Sequence, residues 1–181
     1  MHSVGSSPTQ GDVSDLLEHW DRYRAVTLQY LDLFSDEDLA WRPRADAFSS
    51  GQQLVHILQT EEFYAHALFD NDWDLARLRF PSVLPGRVEL RDQFASVRAR
   101  TSQRLAGLTT ERLDTRIRHA YAPMEFSFRW WLWFVLEHEM HHKGHLAEYA
   151  RQMGRVPPFL AFALPMGTRP DIQARIDLGG V

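Results

Sequence analysis

The chain has 181 residues and a formal net charge of −4, and 44% of its residues are hydrophobic. This suits one domain with a sizeable core, and the negative charge argues against a basic face that binds nucleic acid. The absence of Cys excludes disulfides, thiolate metal sites and a Cys nucleophile. The longest apolar run, residues 130–136, is too short to cross a bilayer, so we expect a cytoplasmic protein without membrane contact.

The N-terminal part predicts a loose tail and a first helix. Residues 1–11 lack the basic start and apolar core of a signal peptide. We therefore expect a disordered tail there and a single helical domain over residues 12–181. Apolar residues at helical spacing predict the first helix over residues 12–34. A break follows, in which Ser35 can cap a short turn and Pro43 stops anything longer.

Two further helices follow the break. The second is predicted over residues 50–70, with Ser50 and Gln53 as a capping box. Residues 71–87 contain Pro and Gly and predict a loop. Helical spacing of apolar residues then predicts a third helix over residues 88–107.

The last long helix is predicted from Trp130 to Gly154. Before it, Thr109 or Thr110 can cap a short helix, and residues 116–128 alternate weakly, as an extended connection would. Four long helical patterns without a convincing set of strands predict an all-α fold, a four-helix bundle.

This last helix carries four histidines, His138, His141, His142 and His145. A helix turns by about 100° per residue, so His138 and His142 lie on the apolar stripe and His141 lies at its edge. Two imidazoles one turn apart that point inward form half of a metal site. A hydrogen-bonded core histidine beside a surface one is the alternative interpretation.

The second helix offers a candidate third ligand. His56 shares one line of the helix with Thr60, Phe63 and Ala67, which indicates an inward position, whereas His66 lies on a more polar side. A buried His that bonds a backbone carbonyl would give the same pattern.

The string from His138 to His142 also satisfies H-E-x-x-H, the zincin pattern, in which Glu139 would be the general base. That pattern requires a further ligand, usually downstream. No His follows His145, so this interpretation is the weaker one.

Four passages resemble the DinB/YfiT superfamily of small helical bundles that bind a divalent metal through three His. The resemblance reaches from about residue 12 to Pro158, which is most of the chain. The passages that carry it are Ser35–Leu39 with Trp41–Pro43, Leu54–Ile57, His138–His145, and Gly154 with Pro157-Pro158. The resemblance implies a four-helix bundle with His56, His138 and His142 as the metal ligands. His145 departs from the family, which commonly has Gln there.

The residues around the ligands have open roles. His145 can hold a ligand in place, orient substrate or lie at the surface. A ligating His normally donates its other ring proton to a nearby acceptor, and Glu62, Glu139 and Gln59 are the candidates.

Three neutral His suit Zn or Ni, with Fe or Cu as further options. Such an ion can bind a thiol as thiolate, or lower the pKa of a bound water. The resemblance extends to bacillithiol S-transferases and mycothiol-dependent isomerases, which load a low-molecular-weight thiol at the metal. It therefore implies a thiol S-transferase or related detoxification enzyme acting on a small-molecule substrate. A metal-dependent hydrolase and a non-catalytic metal-binding stress protein are the alternatives.

Trp130 and Trp133 turn away from the histidine stripe. A helix that is apolar over most of its circumference is covered on more than one side. Either the apolar segment 159–164 or a second subunit must cover these indoles, and we expect a homodimer.

Overall fold

The computed structural model describes residues 11–158, so the predicted tail and the segment after Pro158 lie outside the described residues. Within that range the predicted four-helix bundle is confirmed. Its long helices are α1 (Gly11–Leu33), α2 (Ser50–Asp70), α3 (Arg87–Ala106) and α5 (Phe128–Gln152). Single 3-10 turns at Asp38–Ala40 and Leu75–Leu78 interrupt the connections on either side of α2.

The connection between α3 and α5 contains more structure than the sequence predicted. Thr109 caps the short helix α4 (Thr110–Asp114) by accepting a hydrogen bond from the amide of Arg112. The chain then forms an antiparallel hairpin of β1 (Arg116–Arg118) and β2 (Glu125–Ser127). The weakly alternating segment thus contains two paired strands, which form the one sheet among residues 11–158.

Each of α1 and α2 packs against both α3 and α5, so α1 and α2 lie at opposite corners of the bundle. Two large hydrophobic clusters fill the interior. One contains Tyr30, Leu54, Leu90 and Leu146, and the other contains Trp20, Leu68, Leu105 and Trp131. Along every helix the first cluster lies toward one end and the second toward the other, and a buried polar layer separates them.

Serine caps begin two of the helices. Ser49 Oγ accepts from the amide of Gln52, and the Gln52 side chain accepts from the Ser49 amide. The capping box therefore lies one residue before the predicted pair, because Ser50 is already helical and its hydroxyl donates to the Asp38 carbonyl. Ser127 caps α5 in the same way, so that helix begins two residues before the predicted Trp130.

Gly51 allows the start of α2 to pack tightly on the preceding turn. A Cβ at this position would lie 2.9 Å from the carbonyl oxygen of Leu39. This close approach sets the first turn of α2 against the 3-10 turn Asp38–Ala40. None of the helices in residues 11–158 is long and apolar enough to cross a membrane.

Candidate metal centre

Helices α2 and α5 bring the three predicted ligands together. Nε2 of His138 lies 3.2 Å from Nε2 of His56 and 3.0 Å from Nε2 of His142. The candidate ligand atoms of the three residues lie within 4.8 Å of one another. Among the described side chains, no other group of three His, Asp or Glu converges in this way.

One side of the centre is buried in the protein interior and the other is partly exposed to solvent. His142 is buried, with 7% of its surface exposed, whereas His56 and His138 are half-buried. Phe48 packs edge-on against His56 with ring centres 5.7 Å apart, and Phe80 lies next to both rings. Two aromatic rings therefore border the centre on the side of His56.

The surroundings keep all three imidazoles neutral. Burial, and then the proximity of the other histidines, lowers the pKa of His138 to about 4 and that of His142 to about 3. Burial also lowers the pKa of His56. Metal ions bind the neutral imidazole, so these shifts favour the protonation state that a metal ligand requires.

Gln53, which the sequence analysis did not select, orients one of the imidazoles. Its side-chain oxygen accepts a hydrogen bond from Nδ1 of His142, and its Nε2 donates to the hydroxyl of Tyr149 at 3.2 Å. With the proton on Nδ1, the lone pair of His142 lies on Nε2, inside the cluster. The available signal was spacing, since Gln53 precedes His56 by three residues and shares its helix face.

The donor set fits a divalent first-row metal ion. Nε2 of His138 faces the Nε2 atoms of two other imidazoles, and a single ring proton cannot satisfy both contacts. A cation accepts all three lone pairs at once. Three neutral nitrogens suit Zn, Ni, Cu or Fe, whereas Mg and Ca prefer oxygen ligands.

Glu139 lies away from the open side of the centre. Its carboxylate is 3% exposed and accepts from Arg24 at 3.2 and 3.3 Å and from Thr27, with Arg98 3.8 Å away. Burial alone would raise the pKa of Glu139, but Arg24 and Arg98 lower it overall. Held as a carboxylate in this layer, it does not have the placement of a zincin general base.

The other residues predicted to support the ligands lie elsewhere. Glu62 bonds Arg100 at 2.9 Å, and the side chain of Gln59 donates to the carbonyl of Arg79 at 2.6 Å. The ring centre of His145 is 6.1 Å from that of His142, and its Nε2 faces His141. Among the described residues, a side-chain acceptor is thus seen for Nδ1 of His142, and it is the oxygen of Gln53.

Comparisons with known proteins agree with this architecture. The family model of the DinB superfamily matches residues 19–146. YjoA of Bacillus subtilis, described as uncharacterized, is 26% identical over 147 residues, which is 78% of this chain and 90% of YjoA. The crystal structure of YjoA, a DinB-like protein, superposes with a TM-score of 0.66 and 24% identity, over 82% of this chain and 97% of that one.

Two further structures, with lower sequence identity to this chain, share the fold. A DinB-like protein from Bacillus cereus ATCC 10987 has a TM-score of 0.67 and 19% identity, over 80% of this chain and 95% of its own. YfiT from Bacillus subtilis, described as a probable metal-dependent hydrolase with an unusual four-helix bundle topology, has a TM-score of 0.63 and 14% identity, over 85% and 94%. By its family match and its fold, this chain belongs to the DinB superfamily.

Proposed function

We propose that the protein is a metal-dependent enzyme in which His56, His138 and His142 hold a divalent ion, and that its reaction transfers a thiol to an electrophile. The observation that carries the proposal is the convergence of three imidazole nitrogens at a half-exposed place. The superfamily membership supports it, since YfiT is described as a probable metal-dependent enzyme.

An ion held by three uncharged ligands keeps its full positive charge and lowers the pKa of a thiol that it binds. The chain has no Cys, so the thiol would come from outside as a small molecule such as bacillithiol, mycothiol or glutathione. The protein's own contribution is positional. Gln53 holds the His142 ring, and Phe48 and Phe80 give the approach an apolar wall that suits an organic electrophile.

The position of Glu139 favours transfer over a zincin-type hydrolysis. Its carboxylate faces Arg24 and Thr27 in the interior and is not available as a base for an attacking water. A hydrolase remains the second candidate, because three-His sites also activate water and because YfiT is described as a probable hydrolase. A metal-binding protein without activity is the third.

Elemental analysis of the dialysed protein tests the centre. We expect one bound first-row metal per chain in the wild type and in His66→Ala, and none in His138→Ala, with little change in melting temperature. His66 is the matched control because it lies on α2 and bonds Asp70, away from the three nitrogens. A chelated wild type that takes up no metal would refute both enzymatic candidates.

Activity assays then separate the candidates. The metal-loaded protein is given an electrophile with bacillithiol, mycothiol or glutathione, and ester or amide substrates without thiol in parallel. Thiol-dependent conjugation that disappears in His138→Ala supports the transferase. Thiol-independent hydrolysis that disappears in the same variant supports the hydrolase instead.

A further inference from the structure

A second pair of histidines lies on the exposed side of α5, next to the three-His centre. His141 and His145 are one turn apart and both are exposed. Their Nε2 atoms lie 3.1 Å apart, close to the 3.0 Å that separates the Nε2 atoms of His138 and His142. The same helix therefore presents the same two-imidazole arrangement on two adjacent faces.

We propose that His141 and His145 form a second metal site, which binds a divalent transition metal through their two Nε2 atoms while solvent fills the other coordination positions. This inference goes beyond the proposed function and does not depend on it. The helix already holds the two nitrogens at a chelating separation, so little ordering of the side chains is needed when a metal binds.

The surroundings leave both imidazoles available. Among the described residues, the one polar contact of each ring is with the other ring. Glu148, an acid one turn after His145, bonds Gln152 at 3.1 Å and lies 3.9 Å from Arg151, and the described residues bring no third His, Asp or Glu ligand to this pair. The site is therefore a two-nitrogen site, with no carboxylate from the described chain as a third ligand.

Two imidazole donors determine which metal ion the second site prefers. Nitrogen donors select Cu, Ni and Zn over Mg and Ca, and affinity rises toward Cu among the divalent ions. Two ligands bind more weakly than three. The ring of His142 is 5.1 Å from that of His141, so an ion in the three-His centre would also repel a second ion nearby. We expect the second site to fill last.

Calorimetry with Zn²⁺ added to the chelated full-length protein tests this site. We expect two classes of binding, one ion each, in the wild type. His145→Gln and His141→Gln should keep the tight class and lose the weak one, with at least a tenfold fall in the weak association constant. His66→Gln should keep both classes, and circular dichroism confirms that each variant is folded.

The variant His138→Ala separates the two proposals. Loss of the tight class with the weak class retained supports the second site as an independent one. A weak class that is unchanged in both His145→Gln and His141→Gln overturns the inference, as does a wild type that binds only the tight class of ion. A weak class without any tight class would support this site and contradict the proposed function.

Discussion

The side-chain oxygen of Gln53 accepts a hydrogen bond from Nδ1–H of His142. This hydrogen bond joins the first turns of α2 to the second half of α5, and it selects the imidazole tautomer whose Nε2 faces His138. The ring is therefore oriented for a metal before any metal binds. Tyr149 receives a hydrogen bond from the same amide and fixes which way Gln53 points.

Replacing Gln53 should weaken metal binding without removing a ligand. We expect Gln53→Leu to lower the affinity for Zn²⁺ by roughly 10- to 100-fold, because His142 loses the acceptor that orients it. Competition with a chromophoric chelator measures the change. Gln59→Leu is the matched control on the same helix, since Gln59 bonds the Arg79 carbonyl. Equal affinities for wild type and Gln53→Leu would show that the hydrogen bond has no role in metal binding.

Glu139 should contribute more to the free energy of unfolding than the exposed Glu137 on the same helix. Glu139→Ala leaves the buried guanidinium of Arg24 with one carboxylate fewer, so we expect it to lower the free energy of unfolding by about 3–5 kcal/mol. Glu137→Ala, on the exposed face of the same helix, should change it by less than about 0.5 kcal/mol. Urea unfolding measures both. A stable Glu139→Ala protein that retains metal but loses activity would instead indicate a catalytic base.

The metal-free protein should lose stability as the pH falls from about 6.5 toward 4. The pKa of His138 is lowered to about 4 and that of His142 to about 3, so over this range the unfolded chain takes up protons that the folded chain does not. The free energy of unfolding therefore rises with pH in this window and is flat above it as far as these groups are concerned.

Urea unfolding of the chelated protein at a series of pH values checks this expectation. The matched comparison is a variant with both His138→Gln and His142→Gln, which has no imidazole to protonate at these positions. Its stability should depend less on pH between 4 and 6.5. The same dependence in both proteins would assign the effect to other groups.

The homodimer stays a prediction, and it has a specific candidate surface. Trp130 and Trp133 are 39% and 38% exposed, and the Trp130 indole stacks on Phe126. We expect light scattering to show a dimer that Trp133→Glu converts to a monomer, because a charge in a closed apolar contact is unfavourable. Val88→Glu, at an exposed position on α3, should leave the dimer intact. A monomeric wild type would contradict the prediction.

The three converging histidines could be predicted because their signal is local. Each of His56, His138 and His142 lies on an apolar stripe that repeats with the helical period, and the family motifs select the same residues. The bounds of α1, α3 and α5 differ from the predicted ones by one or two residues, whereas those of α2 are as predicted. The capping box of α2 lies at Ser49, because the hydroxyl of Ser50 bonds the carbonyl of Asp38 in the preceding turn, a contact that the helical period does not report.

The buried polar layer could not be predicted in the same way. Arg24, Glu61 and Arg98 each lie on an amphipathic helix, where a charged residue normally indicates a solvent-facing position. Their burial depends on contacts across the bundle, with Glu61 accepting from Arg24 at 2.6 Å and from Arg98 at 3.0 Å. Glu62, one of the three predicted candidate acceptors, is adjacent in the chain but points to the exposed side of α2 toward Arg100.

Each of the four long helices contributes a charged side chain to that layer, namely Arg24 from α1, Glu61 from α2, Arg98 from α3 and Glu139 from α5. Helix α5 also buries Lys143, which interacts electrostatically with Glu139. An axial slide of α5 by one turn, about 5.4 Å, would pull Glu139 from both guanidinium groups. The same slide would separate His138 and His142 from His56, because Glu139 follows His138 directly. The ion pairs thus fix the axial position of α5 relative to the other helices. Because breaking them is unfavourable, the three nitrogens stay close together even in the metal-free protein.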